Sequence, residues 1–363
     1  MLQANFSKEA NQLFFKVLHQ RVNQYFKVNQ IKRTGNWVLL VKTILMFSLL
    51  LIPYFVLLFV EMNDALRLLM CVFMGLGMAG VGMNVMHDSN HGSYSDKWWV
   101  NQLMGNSIYL LAGNVYNWKV QHNLIHHTYT NIQGLDEDID IHGVIRLSKF
   151  EKWKPMHKFQ SIYAFFLYGL LTIQWALLVD FKQTPRYIKQ GLSGDGELNP
   201  SREIALLVIS KIVYVLFWVV LPLLLIPVNF GLWFLGFFTM HYVAGIILST
   251  VFQLAHVTDS IDVVTNTQLQ QEKRGWAEHQ LLETANFATQ NKWVGFLLGG
   301  LNFQIEHHIF PTISHVHYRS LSKIVKQTAK EFQIPYQEYD TVWIALKAHI
   351  KQLKQLGKKP QVA

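Results

Sequence analysis

The sequence predicts an all-α integral membrane protein: four transmembrane helices in two hairpins, with a cytoplasmic helical cap that carries clustered histidines. Three observations lead there. Hydrophobic residues make up 51% of the 363 and charged residues only 15%, against about a quarter in soluble domains. The apolar residues gather into runs of about 20, the length needed to cross a bilayer core. Of the 16 histidines, half fall in four short stretches placed after the ends of those runs.

The chain opens with residues 1–36, which hold six Lys and Arg and are expected to be cytoplasmic. Spans follow at about 37–60 and 66–86, split by the polar turn Glu61-Met62-Asn63-Asp64-Ala65, and again at about 204–227 and 228–252, split around Pro227 and Asn229. Each pair reads as a hairpin. Lys42, Arg67 and Lys211 lie near enough to span ends to snorkel. A fifth apolar segment, about 162–181, is expected to lie in the interface. Were it a crossing, the histidines before and after it would fall on opposite faces. Residues 192–200 (LSGDGELNP) form the clearest loop. The resulting division is a cytoplasmic segment 1–36, a membrane domain 37–335 and a basic amphipathic tail 336–363, suited equally to a membrane surface or to solvent.

The net charge of +9 fits this topology. Lys and Arg crowd the N-terminus, the 87–203 loop and the tail, and are sparse in the short turns, which places both termini and all the histidine clusters in the cytoplasm. No basic motif supports nucleic-acid binding. Cys71 is the single cysteine, so no internal disulfide forms. The first residues lack the layout of a signal peptide. Gly75-Leu-Gly-Met-Ala-Gly80 fits a dinucleotide fingerprint, but it lies inside a span, where small residues serve close helix packing. Asp136-Glu-Asp-Ile-Asp140 alternates acids like a calcium loop, but Ile141 stands where glycine is required. A solvated acidic loop is expected, meeting a headgroup or an electron donor.

His87 and His91 follow the second span. His122, His126 and His127 come next, then His256 at the end of the fourth span, and last Gln304, His307 and His308. Residues i and i+4 share one helix face, as His87/His91 and His122/His126 would, and Gln304/His307 are i and i+3. His127 and His308 add neighbours that can turn toward a second ion. Imidazole suits iron, zinc and copper. Eight imidazoles exceed the four ligands of one tetrahedral zinc and suit two octahedral ions. His19, His142, His157, His241, His315, His317 and His349 show no partner pattern and read as structural. His279 reads the same way, with a supporting or substrate-facing role as the alternative. Asp88, Asn90 and Glu306 are candidates for holding imidazoles through their second nitrogen.

The stretches HDSNH, HNLIHH and QIEHH, in that order and with a hairpin between the second and third, resemble the three histidine boxes of membrane fatty acyl desaturases. HHTYTNIQGLDEDID and LNFQIEHHIFPT resemble the boxes' surroundings, and the resemblance covers roughly residues 35–335. Gln304, in place of the first histidine of the third box, is similar to the front-end subgroup, which inserts double bonds between an existing one and the carboxyl end. The resemblance implies two non-haem iron ions held by His87, His91, His122, His126, His127, His256, His307 and His308, with Gln304 at a ligand position. It implies O2 as co-substrate and a cis double bond as product, because an unactivated C–H bond has no acidic proton for a base to take. The acyl substrate would be carried by coenzyme A, carrier protein or a lipid. Many eukaryotic front-end members carry a fused cytochrome b5 with an HPGG motif. No HPGG occurs here, so a separate donor, ferredoxin or cytochrome b5, is expected, as is a bacterial inner-membrane location. A sphingolipid-base desaturase or a hydroxylase fits the same boxes. A metal transporter fits less well, since the clusters do not line a path across the membrane.

Overall fold

The computed structural model describes residues 4, 6–140, 143–194 and 196–360, with the backbone alone for 8–12. His142 and Ile141 lie outside the described residues. The chain is helical, and the strands among the described residues are one short parallel pair, Asn286–Phe287 with Glu338–Tyr339. Four helices are long and apolar enough to cross a membrane: Trp37–Phe59, Asp64–Asn90, Pro200–Leu225 and Phe230–His256. Asparagine opens each of them. The side-chain oxygens of Asn36, Asn63, Asn199 and Asn229 accept from the amides of Val38, Leu66, Arg202 and Leu232. Each cap satisfies one of the donors that a helix start leaves unpaired.

The second and fourth helices outrun the expected spans. Helix Asp64–Asn90 continues past residue 86 through a π-helical turn, Gly82–Met86, and into His87. The last helix ends on His256 itself. The apolar fifth segment is broken at residues 169–170, where Pro155–Tyr168 and Leu171–Lys189 meet with a bend of 69°.

Two compact units share the described residues. The span unit comprises Asn36–Gln121 and Phe165–Thr250. Met46, Leu50, Tyr54, Met78 and Trp218 are central to its core. The glycines of the apparent nucleotide motif are packing residues, as expected. A Cβ on Gly75 would come within 2.6 Å of the Met240 carbonyl, and one on Gly77 or Gly80 would collide with Leu50 or Met46.

Snorkelling is not what two of the span lysines do. Lys42 and Lys211 are 2% and 8% exposed. Lys211 Nζ donates to Asp180 Oδ2 at 2.5 Å and to the carbonyls of Trp175 (2.8 Å) and Ala112. A buried ammonium is tolerated because it is paired and hydrogen-bonded. Asp180 in turn accepts from Asn117 Nδ2 at 3.0 Å. Ala112 has a left-handed φ of 68°, and the Lys211 bond holds its carbonyl. Arg67 pairs with Asp64 at 2.8 Å.

The loop unit comprises Met1–Gly35, His122–Ala164 and Val251–Ala363. Helix Lys8–Asn29 presents Phe14, Leu18, Val22 and Phe26 to Leu321 and Val325 of helix Tyr318–Glu331, and Arg21 bonds Thr328 (3.0 Å) and Glu331 (2.6 Å). The basic C-terminal segment is more than a tail, because helix Val342–Gly357 is docked along one face. Three carbonyls near its end, those of Leu353, Leu356 and Gly357, accept from Gln160, Arg146 and Trp153 at 2.7–2.8 Å. These bonds satisfy groups that a helix end otherwise leaves open.

Candidate metal centre

The span unit carries His87 and His91. They are one turn apart, with ring centroids separated by 4.7 Å, and each meets the Trp118 ring edge-on. Asp88 Oδ1 lies 3.9 Å from His87 Nδ1, and Asn90 Nδ2 donates to the Gly105 carbonyl.

In the loop unit the other six histidines come together. The second cluster stands on a π-helix, Lys119–His126, where an α-helix was expected. In an α-helix, at about 100° per residue, positions i and i+5 point about 140° apart. A π-helix closes its turn at i→i+5 and so returns His127 to the side of His122, where their Nε2 atoms are 3.3 Å apart. The unwinding puts three histidines of one short stretch on one face, and the same spacing in an α-helix could not.

His126, His256 and His308 form the tightest set. Their ring centroids are 4.7–4.9 Å apart, and one ring nitrogen from each lies within 4.8 Å of the others. All three are 2% exposed or less. Each Nδ1 is engaged: His126 donates to Asp136 Oδ2 (3.0 Å), His308 to Gln280 Oε1 (2.9 Å) and His256 to the Glu283 carbonyl (3.4 Å). Each Nε2 is buried without a hydrogen-bond partner among the described residues. Three buried, unpaired imidazole nitrogens converging on one point are costly unless a cation takes their lone pairs, so the residues fit a metal ion. His127, His307 and His308 form a second set within the same distance. His307 Nδ1 meets the Tyr318 hydroxyl at 3.1 Å. Gln304 neighbours His256, while its Nε2 donates to the Leu301 carbonyl at 2.9 Å.

The groups that hold these rings differ from those expected. Asp136 belongs to no solvated loop: it is 1% exposed and also accepts from the amides of Asn131 (2.8 Å) and Asp138 (3.0 Å). Burial pushes its carboxyl up, but the His126 ring and those two amides outweigh burial and hold it below its ordinary value. His126 is the counterpart. Burial lowers it, yet Asp136 and Asp138 raise it above the usual imidazole value. His308 has no carboxylate partner among the described residues, and burial together with the surrounding histidines holds it well below its usual value. Glu306 does not hold an imidazole. Its carboxyl accepts from Asn286 (2.8 Å) and Tyr336 (2.9 Å) and is pushed by burial to about 8. Asp136, Gln280 and Tyr318 were missed, although Gln280 adjoins His279 and Asp136 follows the second cluster within ten residues.

Four of the histidines expected to be structural make hydrogen bonds away from these sets. His279 Nε2 donates to the Thr130 carbonyl (2.7 Å), His241 joins Tyr214 and Thr172, His157 bonds Gly143 and Lys154, and His349 bonds Val257.

Comparison with known proteins agrees with this geometry. The sequence model of the fatty acid desaturase family matches residues 63–340. An sn-1 linoleoyl-lipid 6-desaturase of Synechocystis sp. is 32% identical over 354 residues, covering 95% of this chain and 96% of that protein. The protein of the same name from Arthrospira platensis is 31% identical, over 96% of this chain and 94% of its own length. An acyl-lipid (8-3)-desaturase of Physcomitrium patens is 32% identical over 96% of this chain and 72% of that protein.

Proposed function

The chain belongs to the fatty acid desaturase family, and from that premise we propose that it is a di-iron, O2-dependent acyl-lipid desaturase that inserts a cis double bond on the carboxyl side of an existing one. The observation that carries this reading is the trio His126, His256 and His308, each with Nδ1 engaged and Nε2 unpaired. In this reading these three hold one ion. His122, His127 and His307 of the same unit supply further ligands, the resemblance of the first box assigns His87 and His91 as ligands too, and Gln304 contributes through its carbonyl or a water. Bound iron supplies the O2 chemistry that removes hydrogen from an unactivated methylene.

The protein's own residues act by holding and aiming. Asp136 fixes the tautomer and angle of the His126 ring and raises its basicity. Gln280 and Tyr318 do the same for His308 and His307. Burial of the trio keeps bulk water from the ring nitrogens. A linoleoyl-type lipid is the favoured substrate, since two relatives are named for it. The relative named an (8-3)-desaturase favours a second position on the same scaffold as the alternative. Electrons come from an electron-transfer protein, ferredoxin or cytochrome b5. In a bacterial inner membrane the termini and the site face the cytoplasm, by the lysine and arginine distribution.

The test is the fatty-acid profile, by gas chromatography and mass spectrometry, of a desaturase-free host expressing the chain and fed linoleate. A new double bond nearer the carboxyl end, absent with His307→Ala, is the expected result. A hydroxylated chain or an altered sphingoid base in its place would assign the scaffold to a different oxidation.

A further inference from the structure

Helix Val342–Gly357 has two faces, and one of them is packed inside the protein. Ala345, Ala348, His349, Leu353 and Leu356 are buried. The opposite face runs Trp343, Lys347, Lys351, Lys354 at intervals of four and three residues, and all four are exposed. The helix contains no acidic residue. Lys351 is tied to Asp259 at 2.7 Å, Lys347 Nζ lies 5.5 Å from the Trp343 ring, and Asp340 is the exposed acid just before the helix. Its first turn is also apolar on the outside: Trp343 is 61% exposed, Ile344 44% and Val342 36%.

A second element repeats the pattern. Helix Lys292–Leu297 exposes Trp293 (75%) and Leu297 (51%), one turn apart, behind Lys292. The two helices share an origin. Strands Asn286–Phe287 and Glu338–Tyr339 are parallel, so the chain leaves both at the same end, and each begins a capped helix within a few residues.

We infer that this end of the loop unit is a membrane foot: Trp293 and Trp343 seat in the headgroup layer of an anionic bilayer, and the Lys347–Lys354 stripe lies on its phosphates. Exposed tryptophan beside lysine is costly in water, whereas at a bilayer interface the indole is half-immersed and the ammonium groups reach the lipid charges. Charge decides the occupant, since the outer helix face carries lysines and no acid of its own, Lys347 and Lys354 are exposed, and its leading edge is apolar. The inference rests on the chain's being a membrane protein and not on desaturation, so its test needs no turnover.

Full-length protein would carry a single added thiol through Trp343→Cys, Trp293→Cys or, as an exposed control, Lys330→Cys, with Cys71 left buried. Each is labelled with an environment-sensitive fluorophore and placed in nanodiscs of zwitterionic lipid, with and without phosphatidylglycerol. Expected are quenching by shallow nitroxide lipids at 343 and 293 but not at 330, strengthened by anionic lipid. Lys347→Glu with Lys354→Glu should reduce that strengthening about twofold or more. Access of aqueous iodide to 343 and 293 equal to that at 330, in both lipids, would overturn the inference. So would a contact that forms only when an acidic electron-transfer protein is added, which would make the surface a protein-docking face.

Discussion

Asp136 Oδ2 lies 3.0 Å from Nδ1 of His126, with both side chains buried and the carboxylate held in place by the amides of Asn131 and Asp138. A carboxylate behind a ligating imidazole fixes its tautomer and strengthens it as a donor. Removing such a partner commonly lowers metal affinity about 10–100-fold. Asp136→Ala should therefore lose iron to a chelator at correspondingly lower concentration and lose desaturation with it. Iron per chain after chelator titration is the readout, and retention equal to wild type would contradict the role.

Tyr318 does for His307 what Asp136 does for His126, but with a neutral hydroxyl. Tyr318→Phe keeps the packing of helix Tyr318–Glu331 and deletes one hydrogen bond, a loss of about 1 kcal/mol in stability. The expected result is weaker iron retention with a thermal midpoint close to wild type. A fall in stability alone would make Tyr318 a packing residue.

The Lys211–Asp180 pair is buried on both sides, so the cost of breaking it is that of a stranded charge. Lys211→Met should destabilise the protein by about 3–5 kcal/mol. Replacing both partners, Lys211→Met with Asp180→Leu, should recover much of that loss. Thermal unfolding of the purified variants checks both, and equal damage in the single and double variants would show that packing, not charge, is at stake.

His349 donates Nδ1–H to the Val257 carbonyl at 2.6 Å, and burial pushes its pKa down to about 4 from 6.5. Its folded value lies below its unfolded one, so between those limits the unfolded chain binds the extra proton. Stability attributable to this group is full above about 6.5 and falls as pH drops toward 4, by on the order of 3 kcal/mol in all. His349→Gln should flatten that part of the slope. Unfolding midpoints across the window, compared with wild type, provide the check.

Much of the architecture is written locally. The four spans are legible as apolar runs, and the asparagine before each is a visible cap. The histidine spacing marked the candidate ligands, since one turn of helix is a local property. What was not legible depends on where loops return. The spacing of His122, His126 and His127 is the same in an α- or a π-helix, so the unwinding that aligns all three left no mark. Asp136 looked like a solvated acid because nothing nearby in sequence shows that it folds back beneath His126. Lys211 was misread for the same reason, its partner lying 31 residues away. Trp343 and its lysines could be read as an amphipathic tail, but not that its apolar face is already taken up by the protein.

The most direct test of the central claim is to measure, in one preparation of purified protein, both the iron bound per chain and the double bonds formed on a linoleoyl lipid with reduced ferredoxin and O2. The account predicts two irons per chain in active wild-type protein, and with His308→Ala a loss of iron and of product together. Full desaturation by His308→Ala, or by protein stripped of iron, would contradict it.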